Sequence, residues 1–230
     1  MAVEYRITLD DEHAFNYKVQ IERGVLATDR GSAASDWTRL DYHKCTNCPL
    51  KSSEHASCPA AVDLQSVVED FKGLPAFRKA WTHVRTDERE YSKLVNLEVA
   101  MRSLLGVIMA TSGCPILSRL KPMARNHLPF ASDSEFVLRT VSMYVLRELF
   151  KQREGQLPDW ELKALTRDFA ELQLVNQALW HRIHDVCAGD TNLKAFLSFF
   201  SMASSMTYSL DAQLEKVRPL IMEEGSFLSF

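Results

Sequence analysis

Three cysteines in one polar segment are the residues of this sequence best suited to chemistry. Cys45 and Cys48 form a Cys-x-x-Cys pair, and Cys58 follows after nine further residues. A gap of two residues lets both sulfurs face one metal ion at Zn–S distances near ~2.3 Å, and backbone amides of the tight turn can donate to the sulfurs. The spacing therefore predicts that these three cysteines are metal ligands.

A site of this kind needs a fourth ligand, and the sequence offers Cys114, His43 and His55 as candidates. Cys48, Cys58 and Cys114 are each followed directly by proline. Proline fixes the direction in which the chain leaves a ligand, and a Cys-Pro pair also occurs at a cluster cysteine of bacterial ferredoxins. This shared context groups Cys114 with the loop cysteines. His43 and His55, in the same segment as the first three cysteines, stay open as alternatives.

The metal stays open between zinc and a [4Fe–4S] cluster, because four thiolates suit both. The N-terminus shows no secretory signal, and in the reducing cytosol five cysteines argue against a disulfide framework. The competing interpretation is that the cysteines are small buried hydrophobic residues. Cys187 has no cysteine nearby in sequence, and we expect it to be a core or boundary residue.

A basic loop follows Cys114. No acidic residue occurs between Glu98 and Asp133, where the average composition predicts about four. Such a loop can offset the negative charge of a thiolate centre, bind an anion such as phosphate or nucleic acid, or be a solvated loop tied to neighbouring carboxylates. The candidate anion-binding residues are Arg119, Lys121, Arg125 and His127.

Other chemical motifs are weak or absent. His181 and His184 share a helical face, but the heptad pattern around Ile183 places both away from the apolar seam, so we expect them at the surface. The sequence patterns of α/β-hydrolases, P-loop NTPases, dinucleotide-binding enzymes and zinc proteases do not occur. Cys114 and His127 have the chemistry of a nucleophile and its base, but nothing in the sequence fixes their geometry. Catalytic residues therefore stay unassigned.

The cysteine segments also resemble a known family. The segments that carry the resemblance are CTNCPL (45–50), CPAAV (58–62), SGCP (112–115) and PMARNHLP (122–129). Over roughly residues 40–150 they are similar to an uncharacterised family of bacterial proteins of unknown function. The resemblance implies a bacterial and cytosolic origin and supports treating Cys45, Cys48, Cys58 and Cys114 as one set. It implies no particular activity.

Two hairpins and a short helix are predicted to position the cysteine segment. Apolar and polar residues alternate over residues 5–9 and 15–21 and again over 79–84 and 91–95, which is the period of strands with one buried face. Between the hairpins, residues 62–71 have the apolar spacing of a short helix. Residues 24–36 have no clear period, and we expect a connection there.

After Asn96 the apolar period changes to about 3.6, so the rest of the chain is predicted to be helical. Residues 97–111 are apolar nearly all round, which predicts a buried helix. Asn96 is a plausible N-cap of this helix, and Gly113 stands where a C-terminal cap belongs. The helix would therefore deliver Cys114 from its C-terminal end.

The remaining helices are predicted to form a bundle. Ser132 and Glu135 make a capping box ahead of a helix over 136–150. Residues 162–186 then show a heptad seam with one polar member, Asn176, and an intramolecular bundle explains it better than an intermolecular coiled coil. The last two predicted helices span 193–206 and 210–222.

Composition is that of a folded protein. The 230 residues are 46% hydrophobic and 25% charged, and the formal net charge is -3, which excludes disorder and a general basic excess for nucleic acid. We expect an α+β fold with N-terminal antiparallel β-hairpins and a short helix packed on a C-terminal helical bundle. The predicted parts are 1–96, with the first three cysteines, and 97–230, with the fourth cysteine and the basic loop, unless both form one compact domain.

The sequence therefore predicts a cytoplasmic, cysteine-ligated metal protein of the non-enzymatic kind, a binding or redox-sensing module. The alternative is a metal- or cysteine-dependent enzyme that acts on an anionic substrate. The expected partner is another protein or a small anionic ligand, with nucleic acid only through the basic loop and no membrane, since no apolar run approaches the ~20 residues of a spanning helix.

Overall fold

The structure is a computed structural model that describes residues 1–9, 13–23, 35–187 and 190–222. The fold is α+β, as predicted, with one antiparallel sheet followed by helices that lie mostly in the C-terminal half. Of the connection predicted over 24–36, residues 24–34 lie outside the described residues.

The sheet has four strands in the order β2-β1-β3-β4. Both predicted hairpins are confirmed, and the two pair through their first strands, so that Tyr5 lies opposite Tyr17 on one side and Val84 on the other. Alternate residues of the central strands are buried, which is the pattern expected of a sheet with one face on the core. The strands are β1 (Ala2–Thr8), β2 (Ala14–Gln20), β3 (Lys79–Arg85) and β4 (Glu90–Asn96).

The helices are α1 (Pro59–Phe71), α2 (Leu97–Thr111), α3 (Lys121–Arg125), α4 (Asp133–Arg153), α5 (Lys163–His184), α6 (Thr191–Tyr208), α7 (Leu210–Val217) and α8 (Pro219–Met222). Two 3-10 turns accompany them at Asp36–Thr38 and Leu117–Leu120. Helix α1 begins three residues before the predicted start, because Pro59 occupies its first position, where the missing N–H costs nothing. The helix therefore starts directly after Cys58.

Helix α2 has the predicted bounds and is buried over most of its length. Asn96 is its N-cap residue, but the side chain makes no capping hydrogen bond. At the other end the chain leaves through Ser112 in an extended conformation, with φ −65° and ψ 163°. The Ser112 hydroxyl donates to the Met109 carbonyl at 2.8 Å, so this serine satisfies an end carbonyl that a glycine cap would otherwise serve.

Contacts within the described chain group it into two compact units. Unit 1 consists of Met1–Phe130 and Leu174–Phe200, and unit 2 consists of Ala131–Gln173 and Ser201–Phe230. This grouping differs from the predicted parts 1–96 and 97–230, because the sheet, the buried α2 and the second half of α5 belong to the same unit.

The apolar seam predicted for α5 is buried. Leu165, Phe169, Leu172, Leu179 and Ile183 are each at most 5% exposed. The polar member, Asn176, is also buried, and its amide donates to the Phe199 carbonyl of α6 at 3.4 Å. Among the described residues, no helix is both long and apolar enough to cross a membrane.

Candidate metal centre

The first two cysteines lie on a tight turn. The backbone N–H of Cys48 donates to the Cys45 carbonyl at 3.1 Å, which closes the Cys-x-x-Cys turn. The Lys44 ammonium donates to the Leu50 carbonyl at 2.6 Å and ties the two ends of the segment together. Both cysteines are partly exposed, so they stand on a surface turn with short-range backbone constraints.

Cys58 occupies the N-cap position of α1 and is 7% exposed. Its N–H donates to the Thr38 carbonyl at 2.7 Å, and its carbonyl accepts from Val62 at 3.0 Å. Burial raises the pKa of the Cys58 thiol, whereas the positive charge of Arg182 and the N–H groups of Ala61 and Ala60 lower it. The sulfur makes no full capping hydrogen bond, so it stays available to another partner while the helix end favours its ionised form.

Cys114 stands in a similar setting at the end of α2 and is 9% exposed. Its N–H lies 3.4 Å from the Ser112 hydroxyl oxygen, and its carbonyl accepts from the Ser118 N–H at 3.0 Å. Burial raises the pKa of its thiol, whereas the N–H groups of Leu117 and Ile116 lower it. Two buried cysteines far apart in sequence are therefore each placed beside backbone N–H donors.

The four cysteines interact electrostatically. Burial is the main reason that the pKa of Cys45 rises to about 12. Repulsion from negative charge on Cys58, Cys48 and Cys114 raises it further. Among the described residues, no group of three or more His, Cys, Asp or Glu side chains is placed so that it could hold a metal ion. Joint coordination by the four sulfurs therefore stays a prediction.

The raised pKa values also bear on reactivity. A thiol acts as a nucleophile in its ionised form, and Cys45, Cys58 and Cys114 all have pKa values raised by burial. His127, the base considered for Cys114, has its Nε2 atom 2.5 Å from the Tyr5 hydroxyl. Raised thiol pKa values do not favour a free thiolate nucleophile at these cysteines.

The structure adds one residue that sequence analysis missed. Arg182 on α5 is 1% exposed, and its guanidinium donates to the carbonyls of Trp37, Arg39 and Leu40 at 2.7, 2.6 and 3.1 Å. Its charge lowers the pKa of both Cys45 and Cys58, against the effect of burial. The heptad pattern gave no signal for Arg182. The pattern places Ile183 on the apolar seam, and it does not indicate that the neighbouring arginine is buried.

The two alternative ligands have other surroundings. His43 is exposed, its Nε2 lies 2.8 Å from the Asp185 carboxylate, and its ring stacks on His181 at 5.5 Å. His55 is partly exposed, and its backbone N–H donates to the Lys51 carbonyl at 3.0 Å. His181 and His184 are exposed, as expected from the heptad pattern. His43 thus belongs to a surface cluster with Asp185.

The segment predicted as a basic loop contains the 3-10 turn Leu117–Leu120 and helix α3, and its basic residues have partners within the protein. Arg125 makes two hydrogen bonds to the Glu22 carboxylate, at 2.7 and 3.2 Å, which hold the pKa of Glu22 below its usual value. The Lys121 ammonium donates to the Arg23 carbonyl at 2.7 Å. Arg119 and His127 also interact with other groups of the protein. An anion at Arg125 would compete with Glu22, and anion binding by this loop stays a prediction.

The fold and the site define an α+β protein in which Cys48, Cys58 and Cys114 act on Cys45 and a buried arginine acts on Cys45 and Cys58. The family model for a domain of unknown function, DUF6901, matches residues 3–221, and the chain belongs to this family. The resemblance to an uncharacterised family is therefore confirmed. No curated protein and no solved structure matches the chain.

Proposed function

We propose that this protein is a non-enzymatic metal-binding module in which Cys45, Cys48, Cys58 and Cys114 hold zinc or a [4Fe–4S] cluster. The observation that carries the proposal is the proximity of the four thiols: Cys58, Cys48 and Cys114 all lie close enough to Cys45 to raise its pKa when they are ionised. Several thiolates close together are unfavourable as free anions, and a bound cation converts the same arrangement into a favourable one.

The donor set fits either metal. Thiolate sulfur is a preferred ligand of both zinc and iron–sulfur clusters, and N–H groups beside ligand sulfurs support the bound state. Cys58 and Cys114 lie at helix ends and are held by backbone hydrogen bonds. Cys45 and Cys48 lie on a partly exposed turn, and we propose that this turn rearranges when the metal binds and completes the set.

The proposed role of the metal is structural. Four thiolates leave no open coordination position for a substrate or a water molecule. The bound ion would fasten the turn at Cys45 and Cys48 to the start of α1 and to the end of α2. Reduced thiols are stable in the cytoplasm, which is the compartment we propose for this protein.

Metal analysis and a visible spectrum of anaerobically purified protein test the proposal. We expect about one zinc per chain and no colour, or about four irons and a brown protein with broad visible absorption. Cys114→Ser should lose the metal, whereas Cys187→Ser, the matched control on a cysteine outside the set, should keep it. Metal-free wild-type protein from metal-replete cells, or equal metal content in both variants, would contradict the proposal.

The alternative of an enzyme acting on an anionic substrate has weaker support. It needs either a free thiolate or an accessible cation, whereas the thiols have raised pKa values and Arg125 is paired with Glu22. Titration of phosphate against wild type and an Arg119→Ala/Arg125→Ala variant distinguishes the two functions. Phosphate binding that the variant loses and that weakens with salt would favour the alternative.

A further inference from the structure

Arg182 is a buried cation whose hydrogen-bond partners, within the described residues, are backbone carbonyls. Three carbonyls accept from its terminal nitrogens, those of Trp37, Arg39 and Leu40. Its Nε is buried and has no hydrogen-bond partner. No ion pair joins it to a carboxylate of the described chain. The guanidinium is therefore bound by dipoles but not neutralised.

A buried charge of this kind calls for a nearby anion. Moving a guanidinium out of water is costly, and carbonyl dipoles offset only part of that cost. Arginine cannot lose its proton in a protein, so the charge persists at every accessible pH. The anion that balances it must come from neighbouring groups or from something that they bind.

The neighbouring groups point to the cysteines. Arg182 donates to the carbonyls of Trp37 and Arg39, on either side of Thr38, and the Thr38 carbonyl accepts from the Cys58 N–H. Its charge also acts on the thiol of Cys58, which is buried, and on that of Cys45, which is partly exposed. It also acts on the Asp41 carboxylate and the Tyr42 hydroxyl. Asp41, however, is 56% exposed and pairs with Arg39, so solvent screens it. The thiols are the acidic groups that share the low-dielectric environment of the guanidinium.

We infer that Arg182 is the counter-cation of the cysteine centre, a positioning residue whose buried charge offsets the negative charge of the metal-bound thiolates. The inference rests on the proposed function. Zinc with four thiolates carries a net charge of −2, and a fixed guanidinium beside two of the ligands makes that charge tolerable inside the protein. Arg182 thus performs the role that sequence analysis offered as one use of the basic loop.

The hydrogen bonds of Arg182 also hold the cation in place relative to the ligands. The segment that accepts from it includes the neighbours of Thr38, whose carbonyl accepts from the N–H of Cys58. The Leu40 N–H donates to the Ala56 carbonyl, which lies two residues before Cys58. The guanidinium and this ligand are therefore fixed to the same short stretch of backbone, as a preorganised second shell requires.

The test compares Arg182→Met, which removes the charge, with Arg182→Lys, which keeps it. Zinc affinity is measured by competition with a chromogenic chelator. We expect R182M to bind zinc about 10- to 100-fold more weakly than wild type, the usual cost of losing a second-shell partner. R182K should recover most of that affinity, although it lacks the planar fork. Arg167→Met, the same charge change at an exposed position of α5, is the control and should bind like wild type.

Cobalt supplies a readout that loss of packing alone would not change. Positive charge near sulfur stabilises the thiolate electrons, so its removal should shift the thiolate-to-cobalt charge-transfer band to longer wavelength. We expect this shift in R182M and not in R182K or Arg167→Met. A band at the wild-type position in R182M, with unchanged zinc affinity, would overturn the inference.

Melting curves with and without metal separate a counter-cation from a structural clamp. A counter-cation predicts that metal-free R182M still folds and that the rise in melting temperature on zinc binding becomes smaller. A variant that fails to fold, or whose melting temperature falls equally with and without zinc, would show a clamp and overturn the inference. If wild type itself binds neither zinc nor cobalt through thiolates, it is the proposed function that fails.

Discussion

At the scale of single residues, the pKa values of the buried thiols are raised, whereas that of the buried carboxyl Glu148 is lowered. Burial raises the pKa of Cys45, Cys58 and Cys114, so these thiols are neutral in the absence of a metal. Glu148 on α4 is fully buried, but hydrogen bonds to cations keep its pKa low. Each pKa shift makes the free energy of unfolding depend on the partner that the group binds in the folded protein.

The first prediction concerns Cys45. Cys45→Ser removes one of four proposed ligands, so it should release the metal and lower the melting temperature, because metal-binding energy contributes to folding. Differential scanning calorimetry with parallel metal analysis measures both. Cys187→Ser is the control, because Cys187 lies outside the set and its sulfur accepts from the Asn192 amide at 3.5 Å. A Cys45→Ser melting curve identical to that of wild type would exclude a structural metal at this residue.

The second prediction concerns pH and unit 2. The Lys151 ammonium, 2.7 Å from Glu148, lowers the pKa of that carboxyl below the ordinary value of 4.5, aided by the N–H of Asp159. The ionised form is thus favoured in the folded state, so its contribution is complete above about pH 4.5 and is lost as the pH falls through the lowered folded pKa.

Urea unfolding between pH 3 and pH 7, a range spanning about four pH units around this transition, should show the effect. Glu148→Gln should reduce stability at pH 7 and flatten the loss of stability on acidification. Glu154→Gln, the same change at the exposed end of α4, is the control. Equal acid sensitivity of wild type and Glu148→Gln would be evidence against this role.

At the scale of elements, helix ends carry most of the local specification. Helix α1 begins immediately after one candidate ligand, and α2 ends three residues before another. The predicted capping box of α4 is confirmed, with the Ser132 hydroxyl accepting from the Glu135 N–H and the Glu135 carboxylate accepting from the Ser132 N–H at 2.7 Å. These ends fix where a helix starts, and thereby where the side chains next to it lie.

The third prediction tests that capping box. Ser132→Ala removes the acceptor for the Glu135 N–H and should destabilise the protein by about 1 kcal/mol, measured by urea unfolding. Ser142→Ala, at an exposed position in the middle of α4, should be neutral or slightly stabilising, because alanine is the better helix former there. A larger loss from Ser142→Ala than from Ser132→Ala would contradict the assignment.

At the scale of the whole molecule, all four candidate ligands and Arg182 belong to unit 1, while the capping box and Glu148 belong to unit 2. We therefore expect the proposed metal to have a local effect on stability. Its removal should loosen the cysteine segments of unit 1 and leave α4 as it was, because stability is not uniform across a structure.

The fourth prediction is a pattern of hydrogen exchange. Removal of the metal with a chelator should increase exchange over residues 37–59 and 112–118, where backbone hydrogen bonds surround Cys58 and Cys114. Exchange over residues 133–153 should not change. Cys45→Ser, already metal-free, should show the increased exchange before chelator is added. A uniform increase over both units would mean that the metal supports the entire fold.

Features that depend on neighbours along the chain could be predicted from the sequence. Alternation of apolar residues predicted both hairpins, the 3.6-residue period predicted α2 with its bounds, and Ser132 with Glu135 predicted the capping box of α4, although the helix begins at Asp133 and not at the predicted residue 136. The spacing of Cys45 and Cys48 likewise marked the candidate site. Periodicity, caps and short motifs are local properties, so they can be derived without a tertiary structure.

The partners of Arg182 and Arg125 could be identified only from the tertiary structure. Arg182 lies 145 residues along the chain from Trp37, whose carbonyl it contacts, and Arg125 lies 103 residues from Glu22. The tertiary structure also decided that the second half of α5 belongs with the sheet. A buried arginine has the same place in a helical period as an exposed one, because burial depends on which segments pack against it and not on its neighbours in sequence.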